Sequence, residues 1–298
     1  MSVPDRPPAA GLQLDALLPP EMARQAEEVG VRKASMDATT TFMLAVLAGA
    51  FIALGGVFAT TALAGTGAVP WGPARVLAGV AFSVGLILVV VGGAELFTGN
   101  NLIVMAWASG RVPTAALLRN WLIVFAGNFA GATATAGLVY LGGTHHGGGG
   151  AFGATALAIA HAKLQLGFIQ AVALGVLCNT LVCLAVWLTL SARTTTDRVL
   201  AIVPPVSAFV APGFEHSVAN MYFIPLGLLI AGLDPAFVAA AGPPGLPIAA
   251  LSWSGFVGRN LLPVTIGNVI GGAVLVGLVY WFVYLRPSSD QRSERGTA

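Results

Sequence analysis

Glu215 and His216 stand side by side in the stretch Ala211-Pro-Gly-Phe-Glu-His-Ser-Val-Ala-Asn220, inside an otherwise apolar run from about residue 199 to 230. An imidazole with an unperturbed pKa of ~6.5 changes charge near neutrality, so it can give or take a proton where few other groups can. A small monovalent anion leaving water for an apolar constriction faces a penalty of several kcal/mol or more, and protonating it removes most of that cost. An ionisable side chain at membrane depth itself costs roughly 2.5 to 3.5 kcal/mol on insertion scales, which marks this pair as a conduction site. A second carboxylate repeats the pattern, since Glu95 precedes Asn100 by the same spacing that separates Glu215 from Asn220. For Glu95 and Glu215 we expect loop-tethering roles, accepting backbone N–H bonds. Asn100, Asn220, Asn128 and Asn268 read as groups that hydrogen-bond helix to helix.

Such residues need an element that stops and restarts. Pro212-Gly213 removes a backbone donor and licenses unusual φ, so the helix should break there, with Ser217 capping the restart. Irregular backbone at that depth survives only where it is buried in protein or lines a polar cavity.

Composition fixes the class. With 56% hydrophobic and 9% charged residues, against about 25% charged in globular domains, this is an all-α integral membrane protein. A net charge of +2 gives no case for nucleic acid. Apolar length predicts six transmembrane spans at about 41–64, 76–108, 120–141, 165–190, 199–232 and 262–285. The second and fifth are too long for one straight crossing and carry the two polar interruptions, so both read as pairs of half-helices. The domain layout is a cytoplasmic segment 1–40, one transport domain 41–286 and a polar tail 287–298. Residues 1–40 hold no apolar core of signal-peptide length. Within them, Met22, Ala26 and Val29 behind Pro19-Pro20 predict a short amphipathic helix on the membrane face, ending near Gly30. Of the 14 Lys and Arg, Arg75, Lys163 and Arg259 fall on one side and the other 11 on the opposite side, which places both termini in the cytoplasm. Trp71, Trp253 and Trp281 fall near span ends, as an aromatic belt would.

The chain also repeats itself. Residues 117–132 align with 257–272, matching Asn120 with Asn260, Gly127 with Gly267, Asn128 with Asn268 and Gly131 with Gly271. A weaker match pairs Ala45 with Ala171, Val46 with Val172 and Gly49 with Gly175. Three spans per half (about 41–141 and 165–285) make the repeat inverted, and such folds hold their site near the midplane between the discontinuous helices.

Four segments, AELFTGNNL (94–102), LCNTLVCLAVW (177–187), GFEHSVANM (213–221) and IGNVIGG (266–272), resemble the signatures of the formate/nitrite transporter family, in order, over residues 20 to 286. The chain is most similar to the formate channel branch. The resemblance implies a homopentamer of aquaporin-like protomers in the inner membrane of a prokaryote, each with its own pore for formate or a like weak-acid anion. It also implies residue roles: a central histidine at His216, a loop threonine at Thr98 and an asparagine at Asn179. Apolar rings fall at Phe82, Leu86, Leu96 and Phe209, and an external lysine at Lys163. Around AELFTGN the family often carries aspartate and a different tripeptide, so the loop's gating behaviour carries over less directly than the role of the histidine. Thr98 and Asn179 are expected to hold the anion or fix the imidazole tautomer.

Other classes fare worse. Nitrite, hydrosulfide, acetate or lactate are alternative cargoes for the same pore. A neutral-solute facilitator of the aquaporin type normally carries paired Asn-Pro-Ala boxes and an arginine filter, which this chain lacks. An enzyme, cofactor or metal centre is not expected. His145 and His146, in the Gly-rich connection 142–153, have no carboxylate or thiolate near them in sequence and read as solvated loop histidines. Cys178 and Cys183 read as small core residues.

Overall fold

The structure, a computed structural model, describes residues 16–287. The expectations for residues 1–15 and for the tail 288–298 fall outside the described residues. The spans are helices Ala38–Leu63, Trp71–Gly92, Thr114–Leu141, Phe168–Ser191 and Trp253–Tyr284, each long and apolar enough to cross a membrane. The predicted fifth span is two shorter helices, Thr195–Val210 and Ser217–Leu233, and the second of these with Pro235–Ala241, bent by 100°, is also apolar enough to cross. The first span starts where the Asp37 carboxylate accepts the Thr40 N–H at 2.9 Å.

Both predicted breaks are present, and both turn at a left-handed glycine. Gly93 has φ 76° and Gly213 φ 86°, values a Cβ would penalise. After the first break the chain restarts as Phe97–Asn100, tightens to a 3-10 turn at Asn101–Ile103 and runs on through Val104–Ala108. After the second, His216 rather than Ser217 is the N-cap, and its Nδ1 accepts the Ala219 N–H at 3.2 Å. Ser217 Oγ is buried without a partner.

Glycines set how closely the spans approach. Gly131 on the third span lies against the Val46 backbone of the first, and Gly271 on the sixth lies against the Val176 backbone of the fourth. A methyl group at either position would overlap main-chain atoms, so these helices pack through their backbones. The contacts correct the weaker alignment: Val46 corresponds to Val176 and Ala45 to Gly175, one helical turn further on than the sequence match. Sliding a Gly/Ala/Val-rich helix by one turn keeps the same face and yields chance identities. The position equivalent to Gly49 is therefore Asn179.

The N-terminal helix, Pro19–Ser35, runs past the expected stop at Gly30. It does not simply rest on a membrane face, because Met22, Ala23 and Ala26 pack with Met105 and Trp187. Gly30 lies against Ile103 and Ala106, allowing the helix to seat beneath the restarted half-helix. Its counterpart in the second half is Ala151–Leu164, which seats against Ser217–Leu233, with Ala160 beside Gly227. The repeat thus includes a helix ahead of the three spans in each half. Trp71 and Trp253 are exposed at span ends, whereas Trp281 is half-buried and donates to Ser109 Oγ at 3.0 Å. The sixth span contains two π-type stretches, Phe256–Leu261 and Ile270–Leu278, and the first accommodates Pro263, which has no N–H to give the ladder.

Candidate conduction site

Each break is held by one asparagine from the helix behind it. Asn128 Oδ1 accepts the Phe97 N–H at 2.9 Å while its Nδ2 donates to the carbonyls of Ala45 and Glu95. Asn268 repeats this in the second half, accepting from Ser217 N at 2.9 Å and donating to the carbonyls of Gly175 and Glu215. Backbone groups freed by the breaks are thereby satisfied inside the protein, where no water is available.

The carboxylates do something else. They were expected to accept backbone N–H bonds, but Glu95 accepts from Lys33 Nζ and Asn100 Nδ2, both at 2.6 Å. Glu215 accepts from Lys163 Nζ at 2.8 Å and from Asn220 Nδ2 at 2.7 Å. Asn120 and Asn260 complete the two clusters, each also donating to the carbonyl of its lysine, Lys33 or Lys163. A buried ion pair with its remaining lone pairs satisfied fixes geometry, which is the role for which such pairs are best attested. Glu215 makes no hydrogen bond to His216 in this arrangement. Sequence reasoning left Lys33 among the cytoplasmic charges. The signal was present: Lys33 precedes Leu44 by the same interval that separates Lys163 from Leu174, and those leucine carbonyls accept the Glu95 and Glu215 N–H groups.

The two halves differ where the site lies. Aligning Glu95 with Glu215 puts Leu96 opposite His216 and Thr98 opposite Val218. The imidazole is therefore single, and it meets the hydroxyl contributed by the other half, with Thr98 Oγ1 to His216 Nε2 at 3.1 Å. Because the Ala219 N–H can only donate, Nδ1 is the bare nitrogen and the neutral ring carries its proton on Nε2. That proton is directed at Thr98 Oγ1. Both residues are buried.

Asn179 makes no hydrogen bond to the imidazole. Its Nδ2 donates to Asn101 Oδ1 at 2.8 Å, to the Asn268 carbonyl at 2.7 Å and to the Thr98 carbonyl at 3.3 Å. It positions Thr98 and ties one break to the asparagine that holds the other. Cys178 and Cys183 are buried and free.

Apolar residues flank this contact. Phe82 and Phe209 meet edge to face with ring centroids 5.9 Å apart, and Phe209 stacks on the His216 ring at 6.0 Å. A cavity of about 70 Å³ reaches this side, bordered by Arg75, Phe82, Lys163, Phe209, His216 and Phe223. A cavity of about 330 Å³ reaches the other side, bordered by Lys33, Leu86, Glu95, Leu96 and Arg198. Phe223 and Arg75 escaped the sequence reading. Phe223 stacks on Phe82 at 6.4 Å, while Arg75 Nε and Nη2 donate to the carbonyls of Ala211 and Val210, each at 2.9 Å, capping the half-helix before the break. The arrangement offers a cation near each mouth, apolar closures inside them and one exchangeable proton between.

Known proteins resemble the chain over most of its length. The family model described as Formate/nitrite transporter matches residues 20–282. The formate channel FocA of Escherichia coli is 48% identical over 273 residues, covering 91% of this chain and 96% of that one. FocA of Haemophilus influenzae is 40% identical, covering 88% and 93%. A solved pentameric formate channel with formate bound superposes with a TM-score of 0.77 at 43% identity, covering 84% of this chain and 98% of that one.

Proposed function

The chain belongs to the formate/nitrite transporter family, and from that we propose that it is a pentameric formate channel whose passage is linked to protons through His216. The observation that carries this reading is the single Nε2–H of His216 directed at Thr98 between two apolar closures, with Lys33 and Lys163 at opposite mouths. An anion entering from either mouth must leave water to pass Leu86 and Leu96 or Phe82 and Phe209. A proton taken up from water at Nδ1 makes the ring an imidazolium, which hands its Nε2 proton to the anion, neutralising it at the narrowest point and leaving a neutral ring. Holding the proton at Nδ1 breaks the bond from Ala219 N–H and costs the half-helix its cap, so the ring acts as a transfer group rather than a standing charge. Thr98 is the positioning partner, and Asn179 holds Thr98. No cofactor is needed.

Uptake of labelled formate into proteoliposomes, compared with nitrite at two pH values, tests this assignment. Formate uptake should rise at the lower pH. Nitrite carried faster than formate under both conditions would move the assignment to nitrite.

Phe209→Ala should open the closure, raising leak of anions larger than formate severalfold while the protein keeps its fold. An unchanged anion selectivity in a folded variant would reduce Phe209 to a packing residue.

For a multi-pass protein of the bacterial inner membrane, the charge bias favours both termini in the cytoplasm. Because Cys178 and Cys183 are buried, single added cysteines report topology cleanly. A cysteine at exposed Gly67, where a side chain meets open space, should label from outside intact cells, and one at exposed Ser35 should not. The reverse pattern would invert the protein in the membrane.

A further inference from the structure

The Gly-rich connection after the third span is ordered in an unexpected way. Gly143 turns with φ 67° into a 3-10 turn, Thr144–His146, and Gly148, Gly149 and Gly150 continue with positive φ into Ala151–Leu164. Contrary to the solvated-loop reading, His145 is buried, stacked on Tyr140 at 5.1 Å and met edge-on by Phe237 at 5.2 Å. The carboxylate missing from the local sequence arrives from the second half of the chain. Asp234, where the fifth span turns into Pro235–Ala241, places Oδ2 3.2 Å from His145 Nε2 and 3.6 Å from His146 Nε2.

We propose that His145, His146 and Asp234 form a binding site for a divalent transition-metal ion of the zinc class. Among the described residues these three are a group of possible ligands whose donor atoms all lie within 4.8 Å of one another. A tetrahedral ion with bonds of about 2.0–2.1 Å holds neighbouring ligand atoms roughly 3.3 Å apart, close to the two imidazole–carboxylate separations. Two imidazoles with one carboxylate favour zinc, nickel or copper over magnesium or calcium, which take oxygen ligands. The His146 side chain is 61% exposed, so the fourth position is open to water and the ion has a way in.

The supporting groups are partly in place. Asp234 Oδ1 accepts the Phe237 N–H at 2.9 Å, which fixes the carboxylate and leaves Oδ2 for the ion. Packing on Tyr140 and Phe237 fixes the His145 ring. When a metal takes its Nε2 lone pair, the ring proton resides on Nδ1, which is buried without an acceptor. That missing partner weakens the site compared with a fully supported one. A bound ion would pin the connection between the halves to the turn after Leu233, joining segments far apart in sequence.

The test uses the full-length protein without a histidine tag, stripped with chelator and dialysed against zinc alone. About one zinc ion per chain is expected, half-saturating on the order of micromolar concentration. His146→Gln changes an exposed side chain, and Asp234→Asn keeps the Oδ1 cap, so both variants should fold. Each should weaken zinc binding more than the roughly 10–100-fold that loss of an outer-shell partner costs. Cobalt should bind the native protein with a d–d spectrum that both variants lose. No zinc bound at roughly a hundred times that concentration overturns the proposal. So does zinc bound equally by native protein and His146→Gln, which would place the ion elsewhere, or equal competition by magnesium, which would exclude an imidazole site.

Discussion

Asn268→Ala should leave little folded protein in the membrane. The amide is fully buried, and one side chain holds three main-chain groups: it accepts from Ser217 N and donates to the carbonyls of Gly175 and Glu215. Alanine leaves all three without a partner, and an unsatisfied buried polar group costs about 1–3 kcal/mol. Even at the low end, the sum of about 3 kcal/mol is a large fraction of the stability of a typical protein. Thermal unfolding in mild detergent should show a midpoint lowered by many degrees, or no folded oligomer should be recovered. Asn268→Asp keeps an acceptor for Ser217 but loses both donors, so it should fall between alanine and the native protein. A midpoint for Asn268→Ala within a degree of native would mean that the break is supported by something other than this amide.

That arrangement also shows where the sequence was legible and where it was not. Span positions follow from apolar length alone, and both breaks follow from glutamate, asparagine and glycine interrupting apolar runs. These are local signals with a large energetic cause, since a charge at membrane depth demands a reason. The match between residues 117–132 and 257–272 likewise pointed to Asn128 and Asn268, though only as helix contacts. Their actual duty, accepting the first N–H after a break, depends on how closely the first and third spans and the fourth and sixth spans approach, which Gly131 and Gly271 respectively set through backbone contact. The partners of Glu95 and Glu215 were hidden for a similar reason. Lys33 lies on a helix that ranked as a surface segment, and it reaches Glu95 only because Gly30 lets that helix sit against Ala106. Asp234 and His145 are separated by most of the second half, so no local pattern could join them.

His216→Asn should abolish the pH dependence of formate flux while leaving the pentamer assembled. Asparagine is a favoured N-cap, and its carbonyl oxygen can take over from Nδ1 in accepting the Ala219 N–H, so the half-helix should keep its start. Its amide can still donate toward Thr98. It cannot exchange a proton at any pH in the physiological range, and this is the one property the substitution removes. An anion passing between Phe209 and Leu96 then keeps its charge, and each 1.4 kcal/mol of unrelieved cost is a tenfold loss. Proton-coupled uptake should therefore fall by at least about tenfold. Native protein should take up formate faster as pH is lowered, whereas the variant should show a flat profile. Any remaining flux should carry net charge and respond to membrane potential, which electrical recording on planar bilayers separates from electroneutral uptake. Native flux with the native pH profile in His216→Asn would make the imidazole a cap for Ser217–Leu233 and nothing more, and the proton would have to reach the anion without it.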